Sequence, residues 1–233
     1  MQENIEPSLA AAVDQVMAGR HSIRAYLPKA VERPTIEDIL RIAARAPSGT
    51  NTQPWHVHVV TGETLKRLIA AVQKVYDLNP DHHEPTYEDV YSARNQEPYL
   101  GRKRALGKAL YGLMEIAKGD TAAMLAQRRR NFQFFDAPVG LLITVDRSFG
   151  HGSWMDCGMF MQNVMLAARA RGLDTCPQAY WVEYEAVVAK EIQWPENQRL
   201  VSGIALGYAD PAAPENRLVS DRAALEEFVA FHD

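Results

Sequence analysis

Apolar residues recur along the chain at two spacings, and each spacing marks a kind of element. Leu9, Val13 and Val16 share one face of a helix, with Gly19 as its C-terminal stop. After Pro34, the stripe Ile36, Ile39, Leu40 and Ala43 predicts a second helix; Thr35 and Asp38 stand at capping-box spacing and Pro47 closes it. Trp55 to Val60 reads as a strand, and Gly62 introduces a helix running through Tyr76. Asn79 to Pro98, with three prolines and the pair His82 and His83, reads as a loop. Helices are predicted over 102–118 and 121–131, followed by Val139 to Val145, a continuous apolar strand of the kind buried on both faces. A long helix over 153–171 and strand-like segments at 175–181 and 200–206 complete an α+β layout, read as one domain over 1–233.

The long helix carries more information than the others. Trp154, Cys157, Met161, Val164, Met165 and Ala168 form a core stripe, while Met155, Met159, Phe160 and Leu166 make the opposite side apolar too. A helix apolar nearly all round is buried all round, either inside a large core or against a second subunit.

At 233 residues, with 47% hydrophobic and 23% charged positions, the chain has the composition of a globular domain, and disorder is excluded as its dominant state. A net charge of −4 argues against a dedicated nucleic-acid binder. Only two cysteines occur, Cys157 and Cys176, with no CxxC and no metal-ligand spacing, so neither a disulfide framework nor a metal site is expected. No apolar run is long enough to span a bilayer and no signal peptide is evident at the start, so no membrane association and a cytoplasmic location are expected.

No GxGxxG, GxSxG or HExxH motif is present. Gly101 to Lys108 resembles a phosphate loop but has five residues between its glycines, and Ala109 replaces the hydroxyl residue. Two segments carry positive signals. Arg20-His21-Ser22-Ile23-Arg24 follows a helix stop, and on extended backbone Arg20, Ser22 and Arg24 project to one side, a set suited to phosphate oxygens. A solvated basic turn is the plainer reading of that segment alone. The loop Ala46-Pro47-Ser48-Gly49-Thr50-Asn51-Thr52-Gln53-Pro54-Trp55 combines small residues with amides able to meet a heterocycle's edge; an ordinary helix-to-strand connection is the alternative.

Together, RHSIR and APSGTNTQPW resemble the FMN-dependent nitroreductase family, whose members pair an Arg-x-Ser-x-Arg/Lys segment with a Pro-Ser-x-x-Asn-x-Gln-Pro-Trp loop. Later landmarks follow in order: Phe135-Asp136-Ala137-Pro138, Arg171-Gly172-Leu173, Cys176-Pro177-Gln178-Ala179, Gly203 to Tyr208 and Pro214-Glu215-Asn216-Arg217-Leu218. The resemblance covers about residues 12 to 218 and is nearest to the nitrobenzoate and dinitroaniline reductase branch.

The resemblance implies an α+β sandwich with a central mixed sheet flanked by helices, dimerising through the long helix. It implies that Arg20, His21, Ser22 and Arg24 hold the FMN phosphate together with Arg217. Ser48, Gly49, Asn51 and Gln53 would reach the partner subunit's flavin, and Pro177, Gln178 and Ala179 would line the isoalloxazine. No residue is expected to act as nucleophile or acid, because the flavin carries the redox chemistry. NADH or NADPH would supply a hydride and leave before a small nitroaromatic binds, its nitro group passing through nitroso to hydroxylamine. The Asn/Lys pair common in the family's lid region has no counterpart between Asn79 and Gln127. Competing readings are a same-fold reductase of quinones, activated alkenes or carbon–halogen bonds, a flavin carrier without turnover, and a binding module using Arg102-Lys103-Arg104 and Arg128-Arg129-Arg130.

Overall fold

A computed structural model describes residues 8–80 and 95–232. Helix α1 (Leu9–Gly19) is capped by the Ser8 hydroxyl, which accepts the Ala11 N–H at 3.2 Å. Its predicted apolar face is present yet largely open: Leu9 is 83% exposed and Val13 43%, while Val16 is half-buried. Helix α2 (Arg33–Ala43) begins one turn's fraction earlier than the capping-box spacing implies. Glu32 is its N-cap, Pro34 sits in the first turn, and no side-chain cap bond forms. The fixed φ of proline suits that first turn, so the helix starts around it and leaves Thr35 inside.

Four strands, β1 (Trp55–Thr61), β2 (Val139–Asp146), β3 (Asp174–Gln178) and β4 (Gln198–Gly207), pair antiparallel in the order β1-β2-β4-β3. The parallel part of the expected mixed sheet is one bridge, between Ser22 and Thr175 at the outer edge of β3. A register shift on β2 at Ile143/Thr144 leaves Val201 as an extra residue on β4. That extra residue inverts the in–out alternation, so Leu200 and Ala205 share one face while Ile204 and Leu206 share the other.

The two faces carry two cores. One is covered by α2 and α6 (His151–Arg169), whose Ile36, Ile39, Ala43, Phe160, Val164 and Ala168 pack on Leu141, Ile143 and Ile204. The other lies beneath α3 (Gly62–Leu78) and α7 (Glu185–Ile192) and is rich in aromatics. In it Trp181 stacks on Phe134 with ring centroids 4.3 Å apart, over Gly203. A Cβ at Gly203 would lie 2.4 Å from the indole, so only glycine admits that ring. Helices α4 (Tyr99–Leu113) and α5 (Thr121–Arg129) lie between α3 and β2 in sequence and have little buried surface.

Helix α6 corrects one sequence reading. Phe160 does not belong to the outer face: it is 2% exposed and stacks on Trp55 at 4.9 Å. Met155 and Met159 do face outward, 69% and 38% exposed. The helix is therefore buried along one side within the chain and bare along a narrower methionine strip.

Residues 81–94 of the sequence-predicted loop, with His82 and His83, lie outside the described residues.

Candidate functional site

The basic segment is built onto the sheet edge. Ile23 donates its N–H to the Thr175 carbonyl at 3.1 Å, and the chain then runs antiparallel to 208–210, where Leu27 N–H meets the Tyr208 carbonyl and Asp210 N–H meets that of Ala25. Beneath it, Arg169 packs on Gly19 and pairs with buried Asp174 at 2.8 Å, tying the end of α1 to the start of β3.

Asn216 closes the site. Its side-chain oxygen accepts the Arg24 N–H at 2.7 Å and the Ala25 N–H at 3.2 Å, while its nitrogen donates to the carbonyls of Ala25 and Asp210. The His21 ring nitrogens lie 3.2 Å from the Gly19 carbonyl and 3.1 Å from the Asn216 carbonyl. Arg217 follows Asn216 in sequence, so this clamp brings its backbone to the segment that carries Arg20, His21, Ser22 and Arg24. The Arg24 guanidinium donates to the Ser22 carbonyl at 3.2 Å.

The charge of this cluster is uncompensated. Among the described residues no carboxylate lies within ion-pair reach of Arg20, Arg24 or Arg217, whereas Arg129, Arg130, Arg147 and Arg169 elsewhere each engage one. Partial burial, followed by repulsion from Arg222, holds the Arg20 guanidinium below its ordinary pKa. Burial pushes the Cys176 thiol up, against the pull of Arg24, of a Ser22 hydrogen bond and of Arg20; it is a packed neutral floor under the cations. Half-buried Arg20 and Arg24 with exposed Arg217, without counter-charge, are suited to a phosphate.

At the far end of β3, Pro177 is half-buried, Gln178 is buried and Ala179 is exposed. The Gln178 amide nitrogen donates to the Asn131 carbonyl at 2.7 Å, but its oxygen and the Thr175 hydroxyl are buried with no partner among the described residues. An orphaned amide oxygen at this edge suits the N–H of a heterocycle.

Ser48, Gly49, Asn51 and Gln53 are not brought to this cluster. Their hydrogen bonds run within the loop and to α6: Ser48 Oγ accepts the Gln53 N–H at 2.9 Å, and Asp156 accepts the Gly49 N–H at 3.3 Å. Thr50, Asn51 and Gln53 all hold φ between 49° and 60°, an unfavourable left-handed conformation for residues with a Cβ. Gly49 has open space where a Cβ would stand. The loop is thus exposed and strained, and it is tied to Asp156 on the buried side of α6.

Sequence reasoning noted Asn216 only as a landmark and missed Arg222, Asp156 and Asn131. Asp156 interrupts the apolar run of α6, and such an interruption is itself the signal of a buried polar anchor.

A profile of the nitroreductase family matches residues 17–208. The chain belongs to the nitroreductase family. It is 37% identical over 219 residues to the nitrobenzene nitroreductase of Ectopseudomonas oleovorans, an alignment covering 94% of this chain and 96% of that one. To the 4-nitrobenzoate reductase of Pseudomonas putida it is 38% identical over 220 residues, 94% of each chain. Its fold is similar to the crystal structure of the FMN and NADPH-dependent nitroreductase NfnB from sphigopyxis sp. strain HMH, with a TM-score of 0.91 and 38% identity over 95% of this chain and 99% of that chain. For a member of the nitroreductase family, the uncompensated cations and the orphaned edge of β3 take on a common meaning.

The basic runs named as a rival binding surface are largely engaged internally. Arg129 pairs with Asp77, Arg130 with Glu215 and Asp136, Arg128 with Tyr76 and the Pro80 carbonyl, and Arg102 with Glu227. No described helix is long and apolar enough to cross a membrane.

Proposed function

We propose that this nitroreductase-family chain is an FMN-dependent oxidoreductase that uses NAD(P)H to reduce nitroaromatic compounds in two-electron steps. The observation that carries the reading is the Arg20, Arg24 and Arg217 cluster, clamped by Asn216 and lacking any carboxylate partner. These cations and the Ser22 hydroxyl hold the ribityl phosphate, with His21 bracing the segment. Pro177, Gln178 and Ala179 support the ring along the end of β3, where the unpaired Gln178 oxygen meets its polar edge. FMN, when bound, supplies the hydride chemistry, so the protein's part is to bind, orient and keep water from the ring.

The working unit is a homodimer. Two copies meet through α1 and the bare methionine strip of α6, and the Ser48–Gln53 loop of each crosses to the other's flavin. The exposed Leu9, Met17, Met155 and Met159 and the outward strain of the loop support this arrangement. A single flavin face serves donor and acceptor in turn.

Purified protein should therefore be yellow, with flavin absorbance maxima in the blue and near-ultraviolet. Initial rates with NADPH and nitrobenzoate should give parallel double-reciprocal lines. A colourless protein that gains no flavin on incubation with FMN overturns the reading, and intersecting lines overturn the shared face.

A further inference from the structure

The turn Arg130–Asp136 is strained. Phe134, Phe135 and Asp136 hold φ of 51°, 54° and 70° in succession, a left-handed run of residues that all carry side chains. Such strain persists only where the surroundings over-determine it, and it collects at ligand sites. Here Phe134 and Phe135 are locked into the aromatic core. Gln133 donates to Asp136 at 2.8 Å and accepts from Gln73 of α3 at 2.9 Å.

The start of this turn reaches the candidate flavin site at two points. The Asn131 carbonyl accepts the Gln178 amide N–H at 2.7 Å, which fixes the residue whose oxygen is left unpaired. One residue earlier, Arg130 meets Glu215 at 2.5 Å; the carboxylate side chain is 7% exposed and the arginine's 24%. Glu215 stands directly before Asn216, whose side chain accepts the Arg24 and Ala25 N–H groups. The contacts therefore close a ring. From Asn216 they pass to Arg24, then from Ser22 to Thr175 across the sheet edge, and along β3 to Gln178. Asn131 takes them up there, and the Arg130–Glu215 pair returns them to the start. A buried ion pair is weak support for stability, since apolar groups of similar volume often serve as well; its best-attested use is to fix a register.

We propose that Arg130 and Glu215 are positioning residues: their ion pair closes this ring, sets the reach between the phosphate segment and the end of β3, and so aligns the flavin ring for hydride transfer. The proposal rests on the flavin reading above. Neither residue is expected to touch FMN, so alignment and affinity should separate.

Holoenzymes loaded with FMN, their occupancy verified by absorbance, are compared as wild type, as Glu215→Asp, and as the double variant Arg130→Met with Glu215→Leu. Glu215→Asp keeps the charge but shortens the reach. The double variant removes the pair without stranding a buried charge, so its thermal midpoint should stay near that of wild type. At saturating NADPH both variants should reduce their flavin about ten- to hundredfold more slowly, the cost of a misplacement on the order of 1 Å. The visible circular dichroism of the bound flavin should change shape with it. A purely stabilising pair would move the thermal midpoint and leave rate and dichroism as in wild type, and that result overturns the proposal. So does a wild-type rate in Glu215→Asp, which would show that the reach does not matter. A raised FMN Kd with a normal rate in both loaded variants assigns the pair to affinity alone and overturns it too. A wild-type protein that takes up no FMN overturns the flavin reading and this proposal together, whereas yellow variants that react as wild type overturn this proposal only.

Discussion

The Asn216 side chain accepts the backbone N–H of Arg24 at 2.7 Å although 192 positions of sequence separate the two. That bond and its three companions hold the two ends of the proposed phosphate site in register.

Replacing Asn216 with alanine should weaken FMN binding although Asn216 itself is not expected to meet the phosphate. Two backbone N–H groups lose their acceptor, at about 1 to 3 kcal/mol for each left unpaired. Fluorescence titration of the apoprotein should show at least about a tenfold rise in Kd. An unchanged Kd would mean that the segment is held by the β3 edge alone.

Arg20→Ala and Arg217→Ala test the phosphate contacts directly. Each should cost about 1.5 to 3 kcal/mol of FMN affinity, roughly ten- to hundredfold. Neither residue is fully buried, so the thermal midpoint of the apoprotein should stay close to that of the wild type. Retained affinity in both variants would remove FMN from this cluster.

Asp156 offers a test of the strained loop. Its carboxylate is 7% exposed and accepts the Gly49 N–H, while Asn163 on the same helix donates to the Ala43 carbonyl at the end of α2. Asp156→Ala should let the left-handed residues relax and lower kcat/KM about tenfold, corresponding to about 1.4 kcal/mol. Asp156→Asn keeps an acceptor in place and should restore most of the loss. Equal impairment in both variants would show that charge, rather than the hydrogen bond, is what matters.

Met159→Lys places a charge on the bare strip of α6. Sizing chromatography and flavin absorbance should fall together if the loop of each copy completes the other's site. Phe160→Asp is unsuitable for this purpose, because Phe160 stacks on Trp55 inside the protomer and its loss would unfold the chain. A soluble monomer that keeps stoichiometric FMN and full activity would overturn the pairing.

Burial pushes the Cys157 thiol up to about 12, and Cys176 is shifted in the same direction by the same cause. An unfolded thiol ionises near pH 8.5. The folded state therefore holds these protons more tightly, and the stability they contribute is complete below about pH 8.5 and is lost as pH rises toward 12. Ellman's reagent at pH 8 should label neither cysteine in the native protein and both after denaturation. Rapid labelling of the native protein would contradict their burial.

Much of this fold was legible in local pattern. The stripe of α2, the span of α3, the continuous apolar run of β2 and the glycine that ends α1 lie where short-range pattern placed them. What escaped needed three-dimensional information. No helical wheel tells that Phe160 faces the sheet while Met159, one residue before it, faces outward. Thr35 and Asp38 had the spacing of a cap, yet proline at position 34 moved the start of the helix upstream. The RHSIR segment stood out as a basic motif in the sequence, whereas the Asn216 clamp on it depends on contacts between opposite ends of the chain.

The Ser22–Thr175 bridge has a bearing on how the protein behaves without its cofactor. In the order β1-β2-β4-β3, strand β3 is an outer strand, and Ser22 and Ile23 are what cover its free side. The same segment proposed to grip the phosphate therefore seals the sheet against pairing with strangers. On the proposed reading, removing the flavin leaves Arg20 and Arg24 uncompensated and loosens the seal with them. Handling of the cofactor-free protein becomes a question of solubility: phosphate in the buffer, by quieting the arginines, should keep it dispersed where a neutral buffer lets it clump.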